Sequence, residues 1–104
     1  MDEVSWTPEA ERRLRSIHDY LAEDDPAAAL RIVEGIYRKA EALAQFPEIG
    51  YQYPRETEQP VWVQLCGHYR IAYSVLPNRD VDILGVYDGA LEIERFLGQS
   101  DSRP

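Results

Sequence analysis

The sequence predicts an α+β fold: an N-terminal strand and an αα-hairpin packed on a three- to four-stranded antiparallel sheet (β-α-α-β-β-β), with a short C-terminal helix. Three observations predict it. From Val61 to Val86 side chains alternate with a period of two in three runs, separated only by Gly67-His68 and Pro77-Asn78-Arg79; this is the pattern of an antiparallel meander. From Ala10 to Ala44 apolar residues instead recur at spacings of three and four, which places them along one face of a helix. Thr7-Pro8 and Asp25-Pro26 each set a capping side chain before a proline, a helix start with its first orphan N–H groups already provided for.

Each element follows in turn. Val4 and Trp6 point the same way in a short first strand. Thr7 caps a helix whose stripe is Ala10, Leu14, Ile17 and Leu21, with Glu9 where the helix dipole favours an anion, and which stops at Glu23-Asp24-Asp25. Asp25 caps a second helix carrying two adjoining stripes: Leu30, Val33, Tyr37, Ala40 and Ala44 beside Ile32, Ile36, Ala40 and Leu43. Its alanines allow close approach, and so short a link makes the two helices antiparallel. Phe46-Pro47 ends it. Residues 48–60 read as a loop punctuated by Gly50, Pro54 and Pro60, with Tyr51 and Tyr53 pinning it or lining a contact surface.

In the meander, Gly67 supplies a positive φ for a tight turn, and Asn78 tolerates a left-handed conformation in the next. Simple alternation sends Val61, Val63, Leu65, Ile71, Tyr73, Val75, Val81 and Ile83 toward the helix hairpin. Trp62, Cys66, Ala72, Leu84 and Val86 then look the other way, giving the sheet a second apolar face where a half-wet sheet would be polar. Either a last helix from Gly89 to Leu97, capped by Asp88, covers that face with Ile93 and Phe96, or a foreign chain does. Residues 1–98 form the domain and 99–104 a polar tail.

Composition narrows the function. Hydrophobic residues are 44% of the 104, enough for a packed core. No apolar run approaches the roughly 20 residues that span a bilayer, and MDEVSW lacks the basic start and apolar block of a signal peptide, so the expected compartment is the cytoplasm. Cys66 is the one cysteine and has no internal partner. Eleven basic residues against nineteen acidic give a net charge of −8; nucleic-acid binders carry the opposite excess to displace counterions, so general nucleic-acid affinity is disfavoured.

Catalytic and metal-binding spacings are lacking. His18 and His68 stand apart, no HExxH or paired Cys/His run occurs, and no cofactor is implied. Asp80 and Asp82 share a strand face but read as solvated charges. Metal-free phosphodiester cleavage would draw an acid–base pair and phosphate-binding cations from Arg55, Arg70, Arg79, Arg95, Tyr87 and Glu48. Mid-strand Arg70 pairs with Asp82 or Asp88, or meets a ligand.

Taken together, the strand followed by WTPEAERRLRSIHDYLAEDDPAAA, then LAQFPEIGYQYP, GHYRIAYSV and DVDILGVYDG, resembles the ParE/RelE family of bacterial toxins. These are the toxic halves of type II toxin–antitoxin pairs, often called plasmid stabilisation proteins. The likeness runs from Val4 to about Leu97. Family members commonly carry Arg after the glycine of FPxxG, where this chain has Tyr51, and Arg in the strand where it has Gln64. With the acidic charge, these departures favour the ParE-like branch, which resembles inhibitors of DNA gyrase acting by protein contact. The resemblance implies a small antitoxin partner in a hetero-oligomer, seated on Tyr20, Leu21, Tyr37, Trp62, Leu84 and Val86, and more basic than usual because the chain is acidic. The alternatives are an mRNA-cleaving enzyme using Arg55, Arg70 and Tyr87, and an inactive toxin-derived scaffold.

Overall fold

Two capped helices and a bulged sheet make up the computed structural model, which describes residues 3–53 and 59–97. Strand β1 (Val4–Trp6) leads into helix α1 (Pro8–Ala22) and helix α2 (Pro26–Glu41), which ends in a 3₁₀ turn at Ala42–Ala44. Strands β2 (Tyr51–Gln52), β3 (Trp62–Cys66), β4 (Tyr69–Val75) and β5 (Val81–Asp88) follow, then helix α3 (Gly89–Leu97). The caps are those the sequence announces. The Thr7 hydroxyl accepts from the Ala10 N–H at 3.2 Å, and the Asp25 carboxylate from the Ala28 N–H at 3.1 Å. Thr7 also donates its hydroxyl to the Ile83 carbonyl at 2.8 Å, so the start of α1 is tied to β5.

The α+β class stands, with two additions. The sheet has five strands in the order β1-β5-β4-β3-β2, and β1 runs parallel to β5. The connection permits it, since two helices and three strands separate β1 from β5 in sequence and no hairpin joins them. Strand β2 pairs only Tyr51 with Val63 and Gln52 with Trp62, too short a run inside a loop to carry a period. At the β4–β5 turn the left-handed residue is Arg79 (φ 74°), not Asn78. Asn78 works through its side chain, which accepts from the Asp80 N–H at 3.0 Å.

Face assignment departs further from simple alternation. Trp62 lies opposite Tyr73 and Cys66 opposite Tyr69, and directly paired residues share a face. Trp62 and Cys66 therefore pack on the hairpin side with Ile71 and Tyr73, while Val61 and Val63 join Ala72 on the far side. In β5 the register jumps: Ile83 faces Tyr73, but Gly85 faces Ala72. Leu84 is thus an extra residue, a bulge that reverses the alternation beyond it. Val86 turns under the hairpin, 1% exposed, and Tyr87 turns to the far side.

Each face carries a buried cluster. Ala10, Ile36, Ala40 and Leu43 close over Ile71, Tyr73, Val81, Ile83 and Val86. On the other side Ile93 of α3 is buried with Val61, Val63, Ala72 and Tyr87; the Phe96 side chain lies outside the described residues. Gly85 is required here. A Cβ at this position would meet the Tyr87 ring, 2.7 Å from Cζ, so Gly85→Ala forces the ring to shift and should cost about 1–3 kcal/mol. Gly35, in mid-α2, has nothing within 4 Å of such a Cβ, and Gly35→Ala should instead gain about 0.5–1 kcal/mol. Urea unfolding of the two variants measures the opposite signs.

Candidate partner-binding surface

The six residues expected to meet a partner fall into three groups. Tyr20 stands on the last turn of α1, 75% exposed, with half-buried Leu21 beside it. Tyr37, half exposed, stacks on Trp6 with ring centroids 5.8 Å apart, away from that pair. Val86 is enclosed by this chain, whereas Trp62 and Leu84 are half-buried. Trp62 stacks on Tyr73 at 6.4 Å, Leu84 packs against the far-side cluster, and Val86 is core. Of the far face expected for these three, α3 covers the part around Val61, Val63, Ala72 and Tyr87 and leaves Leu84 half-buried, while Trp62 and Val86 sit on the hairpin side, for the register and bulge reasons given above.

Three adjoining hollows open at one end of the molecule instead. The first, about 400 Å³, lies between α1, the ends of β4 and β5, and α3. A second, about 590 Å³, lies at the α1–α2 turn, and a third, about 250 Å³, between α2 and the β3–β4 turn. Tyr20 is common to the first and second, Ile32 to the second and third, and Tyr69 to the third and first. Tyr20, Ile32 and Tyr69 therefore border one continuous concave surface. Tyr20 is among the residues expected at a partner contact, and Ile32 and Tyr69 are not. Ile32 read as core because α2 has more apolar residues than the hairpin and sheet can bury; Leu30, Ile32 and Tyr37 remain exposed.

The cations of the first hollow are already engaged. Glu9 pairs with both Arg12 and Arg13, and these hydrogen bonds hold its carboxyl below the usual value of 4.5. Arg13 also reaches Glu92 of α3 at 3.7 Å, and its guanidinium carbon lies 4.6 Å from the centre of the Tyr87 ring, a cation–π distance. Glu92 in turn accepts from the Asp88 N–H at 2.9 Å. The spacings of three and four from Glu9 to Arg12 and Arg13 are the sequence signal that could have found this network.

Comparison with known proteins places the fold. The family described as the ParE toxin of the type II toxin-antitoxin system, parDE, matches residues 4–91. This chain belongs to the ParE toxin family. It is 38% identical over 84 residues to a protein named "Putative toxin Y4kP" from Sinorhizobium fredii, covering 80% of this chain and 83% of that one. The fold is shared with a chain of the chromosomal ParDE system from P. aeruginosa (TM-score 0.69, 23% identity, 85% of this chain and 96% of that chain). It is also shared with a chain of the RelBE2 toxin–antitoxin complex of Mycobacterium tuberculosis (TM-score 0.61, 24% identity, 83% and 88%).

The residues of the nuclease alternative sit differently in this ParE-family toxin. Arg70 and Tyr87 lie directly opposite across β4 and β5, but Arg55 is outside the described residues. Tyr87 is only 5% exposed, enclosed with Ile93 and the valines of β3. The Arg70 Nε is buried and makes no hydrogen bond among the described residues; its ion pair with Asp82 or Asp88 does not form there. Among those residues no three His, Cys, Asp or Glu side chains gather to hold a metal ion, and no helix is long and apolar enough to cross a membrane.

Burial raises the phenols of Tyr69, Tyr73 and Tyr87 above their ordinary value of 10.0. Asp88 adds to the rise at Tyr69, while Arg13 opposes it at Tyr87 and the Gly50 N–H opposes it at Tyr73. A phenol with a raised folded pKa keeps its proton after the unfolded chain has lost it. The native state then binds more protons, and stability falls as pH rises. Urea midpoints should hold level to about pH 9 and decline above about pH 10, with a shallower decline in Tyr87→Phe.

Proposed function

We propose that this type II toxin arrests growth in the cytoplasm by protein contact with DNA gyrase, and that a small antitoxin neutralises it. The observation that carries the reading is electrostatic. The chain bears a net −8, and the arginines of the hollow between α1, β5 and α3 are held by its own carboxylates, Arg12 by Glu9 and Arg13 by Glu9 and Glu92. A phosphate entering there meets acidic groups and cations already paired, whereas a protein surface can exploit the exposed Tyr20 and Ile32 beside them. Gyrase as the target comes from the likeness to the ParE branch.

One observation favours the nuclease reading, the adjacency of Arg70 and Tyr87 across the strands, and the two readings separate cleanly. Purified toxin should inhibit supercoiling by gyrase in vitro, and induced cells should keep their messages intact. The Arg70→Ala/Tyr87→Phe double variant should retain both growth arrest and supercoiling inhibition. If the toxin is a nuclease, that variant loses cleavage about 100-fold or more, and primer extension on wild-type cells shows discrete cuts with gyrase unaffected.

A further inference from the structure

Strand β2 ends the sheet on the side away from β1. Tyr53 donates its backbone N–H to the Val61 carbonyl at 2.7 Å, and Tyr51 lies opposite Val63. In an antiparallel pair, alternate residues turn their backbone groups toward the neighbouring strand. Gln52, between these two, therefore presents its N–H and its carbonyl outward, to no strand of the sheet. An edge of this kind invites further pairing unless it is covered or charged. Large apolar side chains instead stand in solvent in the same segment: Phe46 is 61% exposed, Ile49 62% and Tyr51 43%. The opposite edge differs, for in β1 the only exposed residue is Ser5.

Charge complementarity names what covers this edge. Glu48 and Arg79 line one hollow of about 300 Å³ together with Phe46 and Ile49. Both charged side chains are exposed, and neither enters an ion pair among the described residues. One acid, one base, an outward donor and an outward acceptor thus lie in a single patch. Such a patch is complementary to itself, which is what a two-fold interface between identical chains requires. A partner surface of one sign would satisfy only half of it.

We propose that two copies of this chain pair edge to edge through β2, antiparallel about a two-fold axis at Gln52. The Gln52 N–H of each copy donates to the Gln52 carbonyl of the other, so the two sheets become continuous. Phe46 and Ile49 are withdrawn from water between the copies, and Glu48 of one meets Arg79 of the other in both directions. This patch shares no lining residue with the hollows at the Tyr20 end. Pairing therefore leaves that end of each copy free, and the inference stands apart from the proposed target.

Sedimentation velocity on the full chain tests it, at concentrations rising to about 1 mM, where even a weak specific contact is populated. The wild-type chain should shift from monomer to dimer. Glu48→Arg and Arg79→Glu each set like charges opposite one another and should weaken the dimer about tenfold or more. Mixing these two variants should restore a one-to-one heterodimer, since every acid again meets a base and the total charge equals that of two wild-type chains. Phe46→Ser/Ile49→Ser should also abolish the dimer while keeping the thermal midpoint, because both side chains are exposed in the single copy. A wild-type chain that stays monomeric throughout, a mixture no more associated than its components, or an undiminished dimer in Phe46→Ser/Ile49→Ser would each overturn the inference. Gyrase inhibition by a monomeric variant leaves the proposed function standing in any of these cases.

Discussion

The register between β4 and β5 decides how this molecule is put together. Leu84 is inserted where Ala72 and Tyr73 pair with Gly85 and Ile83, and that one residue exchanges the faces of everything after it. Without the bulge, Val86 would point at α3 and Tyr87 at the hairpin. With it, Val86 fills the space under α1, while the Tyr87 ring lies back over Gly85 and forms the floor on which Ile93 packs. Each large apolar side chain fully buried in this way is worth about 1.5–3 kcal/mol, so a one-residue slip of β5 misplaces several of them at once. Sheet, hairpin and terminal helix are held in one arrangement by that single irregularity.

The chain covers much of both sheet faces itself. The hairpin and α3 cover much of the sheet, and one region that stays open is the end where α1 stops, α2 begins and the β3–β4 turn projects. Helix α2 has an apolar face broader than its own fold can cover, leaving Leu30, Ile32 and Tyr37 in solvent. Arg13 bridges α1 and α3 through Glu92 and Tyr87 and marks one border of this end. The acidic α1–α2 turn marks the other. A surface that combines apolar excess with unmet charge is the kind that a second polypeptide completes.

Much of this was readable from residues alone. Thr7-Pro8, Asp25-Pro26 and Gly67-His68 act locally, and each does what its chemistry requires. Alternation gave the existence and extent of β3, β4 and β5 but not their facing, because the side of β3 is set by its pairing with Tyr73 and Tyr69 rather than by its own pattern. The bulge left no local mark beyond Gly85, and a strand glycine has several explanations. Strand β2 drew its pairing from β3, and β1 its direction from a neighbour distant in sequence. At the surface, Tyr20 and Leu21 came from the family resemblance, and the structure leaves Tyr20 exposed and Leu21 half-buried. Trp62 and Val86 were misplaced because their exposure hung on the long-range register.

On the proposed reading the partner takes the end around Tyr20, Ile32 and Tyr69 rather than a face of the sheet. Hydrogen–deuterium exchange of the toxin alone and bound to its antitoxin reads this directly. Protection gained in residues 17–32 and 66–69, with β5 and α3 exchanging as in the free toxin, is the predicted result. Protection confined to β3 and the second half of β5, accompanied by faster exchange in α3, would show that the partner displaces α3 and takes the far face, and would contradict it.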